Sequence, residues 1–153
     1  MEILQLKIPP PIYALMIAIS MWLLDQYWPL FQLIESPWNK IGIGIMVAAA
    51  TLDVWSLVLF FRKHTTLNPM KPKNTSGIVT SGLYRISRNP MYLGLLIILA
   101  GFAIWLGSFS PFLALPVFYW LITHMQIKPE ERILEAAFGQ QYLDFKHRVR
   151  RWL

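Results

Sequence analysis

Long apolar segments separated by short polar ones dominate the pattern of the chain. These segments cover residues 11–31, 41–61, 91–108 and 109–125. An α-helix needs about 20 apolar residues to cross the ~30 Å hydrocarbon core of a bilayer. The last two segments are joined only by the turn-forming residues 107–111, which predicts a tight hairpin. We therefore expect an all-α polytopic membrane protein with four transmembrane helices.

The polar remainder predicts a loop and a C-terminal helix. Residues 62–90 lie between the second and third spans and are rich in Thr, Ser, Asn, Gly and Pro, which is typical of a loop. Residues 129–152 begin with Pro129 and repeat apolar side chains at helical spacing against a basic face. This pattern predicts an amphipathic helix, divided at Gly139, that lies on the membrane or covers a site.

The composition and the placement of charge both support membrane embedding. Charged residues make up only 14% of the chain, whereas soluble domains carry about 25%. All Lys and Arg residues except Lys40 lie on the side of the predicted bundle that holds both termini and the 62–90 loop. The positive-inside rule places that side in the cytoplasm. We therefore expect an integral protein of the inner membrane, the plasma membrane or an endomembrane. Its topology accounts for the net charge of +6, so no nucleic-acid partner is expected.

Residue types narrow the chemistry further. The chain has no cysteine and its histidines are scattered, so thiolate nucleophiles are excluded and no metal site is predicted. Asp53 lies near the middle of the second segment, where an ionisable side chain is costly, and is either functional or held by a structural hydrogen bond. Asp25 lies nearer the outer interface, and we expect a structural role for it.

The stretch at residues 82–94, GLYRISRNPMYLG, is the richest in functional groups. It brings Arg85 and Arg88 to the point where the loop enters the third span. Guanidinium groups bind carboxylates and phosphates through two parallel hydrogen bonds, so these arginines are candidates to hold an anion. The alternative is that both arginines anchor the helix at the interface and that Pro90 starts it.

Two adjacent carboxylates, Glu130 and Glu131, follow the fourth span at the same predicted membrane face. One interpretation is that they complement the positive end of the C-terminal helix. The other is that they accept hydrogen bonds from a ribose diol or an ammonium group, or face a sulfonium cation. His124 precedes them by one or two turns and is a candidate to line the same pocket.

Taken together, these motifs resemble the integral-membrane methyltransferases, a group that includes isoprenylcysteine carboxyl methyltransferases and phospholipid N-methyltransferases. The resemblance covers residues 65–153. It rests on Gly-x-Tyr-Arg-x-x-Arg-Asn-Pro-x-Tyr-x-Gly at 82–94, Glu-Glu-Arg-x-Leu-x-x-x-Phe-Gly-x-x-Tyr at 130–142 and the Val-x-Arg-Trp-Leu ending. The combination of the paired motifs is specific, whereas either motif alone is weak.

The resemblance implies that S-adenosylmethionine binds on the cytoplasmic side, beneath the C-terminal helices, and that a lipophilic or small acceptor enters from the bilayer. The cofactor contacts that it implies are Arg88, Asn89, Tyr92, Glu130 and Glu131, with Arg85, Lys128 and His124 as a second set. Methyl transfer from a sulfonium mainly requires alignment and exclusion of water, so no nucleophilic side chain is needed and no catalytic residue is assigned.

Two departures from the family's usual pattern bear on the acceptor. Eukaryotic prenyl-protein enzymes usually carry His where Asn89 stands. They also tend to carry Arg shortly before the glutamates, where this chain has Gln126 and Lys128. The acceptor is therefore open between an isoprenylcysteine carboxylate-like group, a phospholipid amine-like group and a small molecule.

Two other functions are alternatives to the methyltransferase. A non-enzymatic membrane scaffold or lipid-binding protein would use the arginine and glutamate clusters only to set topology and bind anionic lipid. A reductase of the related sterol-reductase branch would use a nicotinamide cofactor, but the small number of predicted spans argues against it. Four short spans are also compatible with a homodimer.

Overall fold

The chain is helical throughout the part that the computed structural model describes, which is residue 6 and residues 8–62 and 82–153. The α-helices are α1 (Pro10–Tyr27), α2 (Ile41–Arg62), α3 (Pro90–Leu106), α4 (Ala114–Ile122), α5 (Lys128–Phe138) and α6 (Gln140–Arg148). No strand occurs in this part, so the all-α prediction is confirmed there. Most of the predicted 62–90 loop lies outside the described residues.

One helical stretch in the described ranges is long and apolar enough to cross a membrane. It runs over Trp38–Val58 and has 21 residues. The helix Pro90–Leu106 is apolar but shorter. Helix length and hydropathy therefore identify one clear candidate span, and the arrangement with four spans stays a prediction.

The ends of the first and fourth apolar segments differ from the sequence prediction. α1 ends at Tyr27 rather than at residue 31, because Pro29 disfavours helical backbone at Trp28, which has φ −146° and ψ 59°. The fourth segment does not end at residue 125. The π-helical turn Thr123–Ile127 carries it directly into α5, so the apolar helix and the polar helix are continuous.

The C-terminal region is divided at Gly139, as the sequence predicted, but its second helix ends at Arg148 and not at residue 152. Gly139 has φ +51°, a backbone conformation that glycine adopts without a steric penalty, and it separates α5 from α6. The chain then becomes extended at Val149, with φ −126° and ψ 132°. Residues 149–152 form a segment that we call the C-terminal strap, because it crosses back to the start of α3.

α2 and α3 pack backbone against backbone. A side chain at Gly42 would overlap the carbonyl oxygen of Gly101, so glycine at this crossing permits the close approach. Further along the same interface, the Asp53 carboxylate lies directly against Gly94. Asp53 therefore faces α3 rather than lipid at this point, in a space that exists because residue 94 has no side chain.

The core is formed mainly by α1, α3 and the continuous helix α4–α5. Its most deeply buried apolar side chains are Met21, Leu99, Ala103, Phe118, Ile122 and Ile127. Most of the large apolar side chains on the remaining helix faces are exposed, as lipid-facing surfaces would be. The helices thus share one buried core, which holds the start of α3 beside the start of α5.

The end of the bundle opposite the C-terminal strap is closed by hydrogen bonds between the α1–α2 connection and the α3–α4 hairpin. The amides of Leu33 and Ile34 donate to the Gly107 carbonyl oxygen at 2.8 and 2.9 Å. The buried Ser108 hydroxyl donates to Asp25 Oδ1 at 2.5 Å. Asp25 therefore links α1 to the hairpin, which is a structural contact.

Candidate active site

The candidate site lies where the start of α3, the start of α5 and the C-terminal strap meet. Pro90 occupies the first turn of α3, where a missing backbone N–H costs nothing. Pro129 follows the π-helical turn inside the continuous helix α4–α5. The polar residues beside these prolines therefore lie close enough for a side chain on α3 to reach a side chain on α5. The sequence predicted this convergence of the two motifs, and the contacts below show how it is made.

Glu131 is the centre of an ion cluster. Arg151 donates to it through both Nε and Nη2, at 2.9 and 2.8 Å, and Arg88 Nη1 lies 2.9 Å from Oε1. Burial raises the pKa of Glu131, but the hydrogen bond from Arg151 and the charges of Arg88 and Arg151 outweigh burial, so the pKa lies below its ordinary value. Glu131 is thus a carboxylate held ionised between two guanidinium groups.

Glu130 has a different environment from its neighbour. The Tyr92 hydroxyl donates to Glu130 Oε1 at 2.5 Å and joins α3 to α5. Burial raises the pKa of Glu130 to about 7, although the Tyr92 hydrogen bond lowers it and the charge of Glu131 raises it. Burial and the charge of Glu130 also raise the pKa of Tyr84 to about 12. The pKa values of the adjacent carboxylates Glu130 and Glu131 are therefore shifted in opposite directions.

The C-terminal strap is bound to the segment before α3 through its backbone. The Arg88 amide donates to the Arg150 carbonyl oxygen at 3.0 Å, and Asn89 Nδ2 donates to the Arg151 carbonyl oxygen at 2.9 Å. Trp152 is buried, and its indole N–H donates to Thr123 Oγ1 at 3.2 Å. The strap thereby fixes the backbone from which the Arg151 guanidinium reaches Glu131.

Arg88 retains hydrogen-bonding capacity. Its side chain is only 9% exposed. Its Nε and Nη1 have no hydrogen-bond partner in the described part of the chain, because Nη1 approaches Glu131 without the alignment of a hydrogen bond. A buried guanidinium with unused donors is suited to an anionic ligand, since leaving such donors unpaired is costly.

The second set of predicted cofactor residues lies differently. Arg85 is exposed at the end of the short 3₁₀ turn Gly82–Arg85. His124 and Lys128 contact each other, with 2.9 Å between Lys128 Nζ and His124 Nε2. The structure thus brings the first set, Arg88, Asn89, Tyr92, Glu130 and Glu131, into one contact network, and pairs His124 with Lys128 outside it.

Sequence reasoning missed Arg151 and Tyr142 as site residues. Arg151 belongs to the Val-x-Arg-Trp-Leu ending, which by itself predicts no role for it, yet it makes the bidentate contact to Glu131, which raises the pKa of the Arg151 guanidinium. Tyr142 is buried beside the cluster; burial and the charge of Glu131 raise its pKa to about 12. The available signal was their place in the glutamate motif and in the Val-x-Arg-Trp-Leu ending.

Comparison with known proteins finds a methyltransferase family model and relatives that are named as methyltransferases. Residues 38–141 match the family model described as phospholipid methyltransferase. Protein-S-isoprenylcysteine O-methyltransferase B of Arabidopsis thaliana is 27% identical over 139 residues, which cover 90% of this chain and 71% of that protein. The Schizosaccharomyces pombe protein-S-isoprenylcysteine O-methyltransferase is 25% identical over 120 residues, covering 78% of this chain and 51% of that protein.

A short relative matches more strongly but over a smaller region. An uncharacterised protein of Haemophilus influenzae is 44% identical over 63 residues, which are 41% of this chain and the whole of that protein. No solved structure matches the chain. The family model covers well over half of the chain and contains both the Arg-Asn-Pro segment and the glutamate pair. The chain therefore belongs to the phospholipid methyltransferase family.

Proposed function

We propose that the protein transfers a methyl group from S-adenosylmethionine to a lipophilic or small acceptor at the cytoplasmic membrane interface. The observation that carries the proposal is the contact network at the start of α3 and α5. There a Tyr92–Glu130 pair lies next to an Arg88–Glu131–Arg151 cluster. This network joins the two motifs that a methyltransferase family model spans in one match.

The residues present fit the chemical groups of S-adenosylmethionine. Its methionine part carries a carboxylate, and Arg88 offers a buried Nε–H that has no partner among the described residues. Its amino group and ribose diol carry hydrogen-bond donors. Glu130 has one oxygen engaged by Tyr92, which leaves the other able to accept. The negative charge of the glutamate pair also favours a sulfonium cation nearby.

Glu131 has a positioning role in this proposal rather than a direct contact. Three close approaches from two guanidinium groups already occupy its carboxylate. It neutralises the charges of Arg88 and Arg151 and holds both guanidinium groups in place. Their remaining N–H donors therefore have fixed directions. Asn89 acts similarly, because its side-chain amide fixes the strap backbone at Arg151. Arg85, exposed at the end of the turn Gly82–Arg85, is a further candidate to contact the ligand.

When bound, S-adenosylmethionine supplies an electrophilic methyl group: the acceptor's lone pair forms the new bond to carbon, and the S–CH₃ electron pair returns to sulfur. The chain's contribution is to bind, align and shield from water. Alignment of two reactants alone accounts for several kcal/mol of a barrier. The strap and α5 cover the site from one side, and Trp152 anchors that cover.

The acceptor class determines whether a base is needed. An isoprenylcysteine carboxylate-like acceptor is already a nucleophile. A phospholipid amine-like acceptor must first lose a proton, and Glu130 with its pKa of about 7 is matched to accept that proton near neutral pH. Both acceptor classes belong to the proposal, because the relatives' names include the first and the family model's description the second.

The membrane arrangement is part of the same proposal. Four spans with both termini in the cytoplasm place the starts of α3 and α5 at the cytoplasmic interface. The distribution of Lys and Arg supports this orientation. A lipophilic acceptor would then reach the site from the bilayer, while the methyl donor would enter from water.

The test is calorimetric titration of the detergent-solubilised protein with S-adenosylhomocysteine, which needs no knowledge of the acceptor. We expect one saturable site. Glu130→Gln removes the Glu130 carboxylate from the site, and Glu135→Gln makes the same change five residues later, at a half-exposed ion pair with Lys146. We expect the first variant to weaken binding and the second to leave it unchanged.

The non-enzymatic scaffold predicts a different result. A folded protein that bound no S-adenosylhomocysteine in detergent or in lipid discs would contradict the methyltransferase proposal. Binding of anionic vesicles that weakens with salt, without any cofactor affinity, would then favour the scaffold.

A further inference from the structure

A stripe of aromatic and basic side chains runs along the face of the α4–α5 helix that points away from the core. It consists of Trp120, His124, Lys128 and Arg132, and we call it the interfacial stripe. In a regular α-helix, residues four apart drift around the axis. The π-helical turn Thr123–Ile127 has more residues per turn and offsets part of this drift, so the stripe stays on one face.

The contacts within the stripe hold the Lys128 ammonium at the helix surface. His124 Nδ1 lies 2.9 Å from the Trp120 carbonyl oxygen, which can only accept, so Nδ1 carries the hydrogen. His124 Nε2 is then the acceptor, and Lys128 Nζ donates to it at 2.9 Å. The imidazole also stacks on the Trp120 ring, with 4.7 Å between centroids. Two ammonium hydrogens remain for a ligand.

The polarity of this face follows the polarity of a bilayer. On one side of Trp120 the face continues with the exposed apolar residues Leu113 and Val117. On the other side it continues with Lys128 and the exposed Arg132. The order is apolar, aromatic and then basic along one helix, which matches the acyl chain, interface and phosphate of a lipid. The opposite face of the same helix is buried, at Thr123, Gln126 and Ile127.

The nearby carboxylates are engaged elsewhere. Glu130 accepts from Tyr92, and Glu131 lies between Arg88 and Arg151. Glu135 pairs with Lys146 at 3.0 Å. Among the described residues, no carboxylate forms an ion pair with Lys128 or Arg132. The stripe therefore presents two cations whose charge complements an anion supplied from outside the protein.

We propose that the interfacial stripe binds one anionic phospholipid of the surrounding bilayer. Lys128 and Arg132 hold its phosphate, Trp120 lies at the glycerol level, and an acyl chain follows Val117 and Leu113. This assigns His124 and Lys128 to a lipid site on the outer surface of α4–α5, separate from the Tyr92–Glu130 network. The proposal requires α4 to lie in the bilayer, and it does not depend on methyl transfer.

The test is native mass spectrometry of the delipidated protein titrated with phosphatidylglycerol, with phosphatidylcholine of the same acyl chains as the neutral-headgroup control. We expect one phosphatidylglycerol bound with clear preference over phosphatidylcholine. Each juxtamembrane cation contributes a free energy equivalent to about a fivefold change in affinity, so Lys128→Gln and Arg132→Gln should each weaken binding about fivefold. Lys40→Gln makes the same charge change at the exposed opposite end and should have no effect.

Several outcomes would overturn the proposal. Equal retention of the two lipids would show no recognition of charge. An equal effect of Lys40→Gln would show that only net charge matters, and competition by inorganic phosphate as strong as by the lipid would exclude the bilayer as the source. S-adenosylhomocysteine binding is measured in parallel: Arg132→Gln should leave it unchanged. A Lys128→Gln variant that lost S-adenosylhomocysteine binding but kept phosphatidylglycerol binding would instead assign Lys128 to the methyl-donor site.

Discussion

The Tyr92 hydroxyl donates a hydrogen bond to Glu130 Oε1 at 2.5 Å, across a separation of 38 residues in the chain. This bond joins the first turn of α3 to the first turn of α5. It also provides the partly buried Glu130 carboxylate with a neutral donor, whereas the adjacent Glu131 receives two positive charges. The two glutamates of the motif therefore perform different tasks, and variants can separate them.

Removing the Tyr92 hydroxyl should weaken cofactor binding without unfolding the protein. Tyr92→Phe keeps the ring and deletes the donor to Glu130. The bond positions the Glu130 carboxylate and lowers its pKa, so its loss should weaken S-adenosylhomocysteine binding at neutral pH, by at most about tenfold. Tyr27→Phe, at an 82% exposed tyrosine in the other half of the molecule, is the matched control. An unchanged affinity in Tyr92→Phe would remove this pair from the site.

Cofactor binding should depend on pH through Glu130. If the ionised carboxylate accepts hydrogen bonds from the ligand, affinity should rise as the pH rises through about 7, the pKa of Glu130. Tyr92→Phe removes a bond that lowers this pKa, so its affinity profile should shift to higher pH. Calorimetry across this range measures both effects, and a flat profile in the wild type would contradict them.

Stability should respond to the same group with the opposite sign. The pKa of Glu130 is raised from 4.5 to about 7 in the folded protein, so its contribution to stability is present below pH 4.5 and is lost as pH rises to about 7. Glu130→Gln cannot ionise. The apparent melting temperature of the wild type should therefore fall relative to this variant between these pH values, which thermal melts in detergent will show.

Breaking the ion cluster should be costly for folding. Glu131→Gln leaves Arg88 and Arg151 together without their counter-charge, and removal of one partner of a buried ion pair costs about 3 kcal/mol. Glu135→Gln removes a half-exposed pair and should cost less than about 1 kcal/mol. Thermal melts compare the two. Equal melting temperatures for the two variants would show that the Glu131 cluster does not stabilise the fold.

The α2–α3 interface should not tolerate a methyl group at residue 94. Gly94→Ala places Cβ on the Asp53 carboxylate, and overpacking of this kind costs about 1–3 kcal/mol. Gly44→Ala adds the same methyl where no atom lies within 4 Å, so its stability should be unchanged or slightly higher. Adding Asp53→Ala to Gly94→Ala should recover stability, and a failure to recover would show that another contact causes the loss.

Much of the local structure could be predicted from the sequence, because it depends on neighbours along the chain. Apolar runs predicted helices, Pro90 starts α3, and Gly139 separates α5 from α6. α1 ends four residues before the apolar run does, because Pro29 restricts the backbone at Trp28, and this signal is local to the sequence as well.

The candidate site could be predicted only as two motifs. The residue types of Arg88, Tyr92 and the glutamates indicated anion binding and a carboxylate pair, and the family resemblance indicated their use. Which glutamate meets which partner could not be read from the chain. Arg151 looked like one of several basic residues in the tail until the strap placed it on Glu131, 20 residues earlier in the chain.

The sequence by itself determined the helical character, the segregation of apolar and basic positions and the two motifs, because these follow from backbone preference and hydrophobicity over a few turns. Only the tertiary structure decided the Tyr92–Glu130 bond, the cluster at Glu131 and the separation of His124 and Lys128 onto another face. These pairings depend on the packing of α3 beside α5, on the π-helical turn and on the path of the strap, and such long-range geometry leaves no periodic trace in the chain.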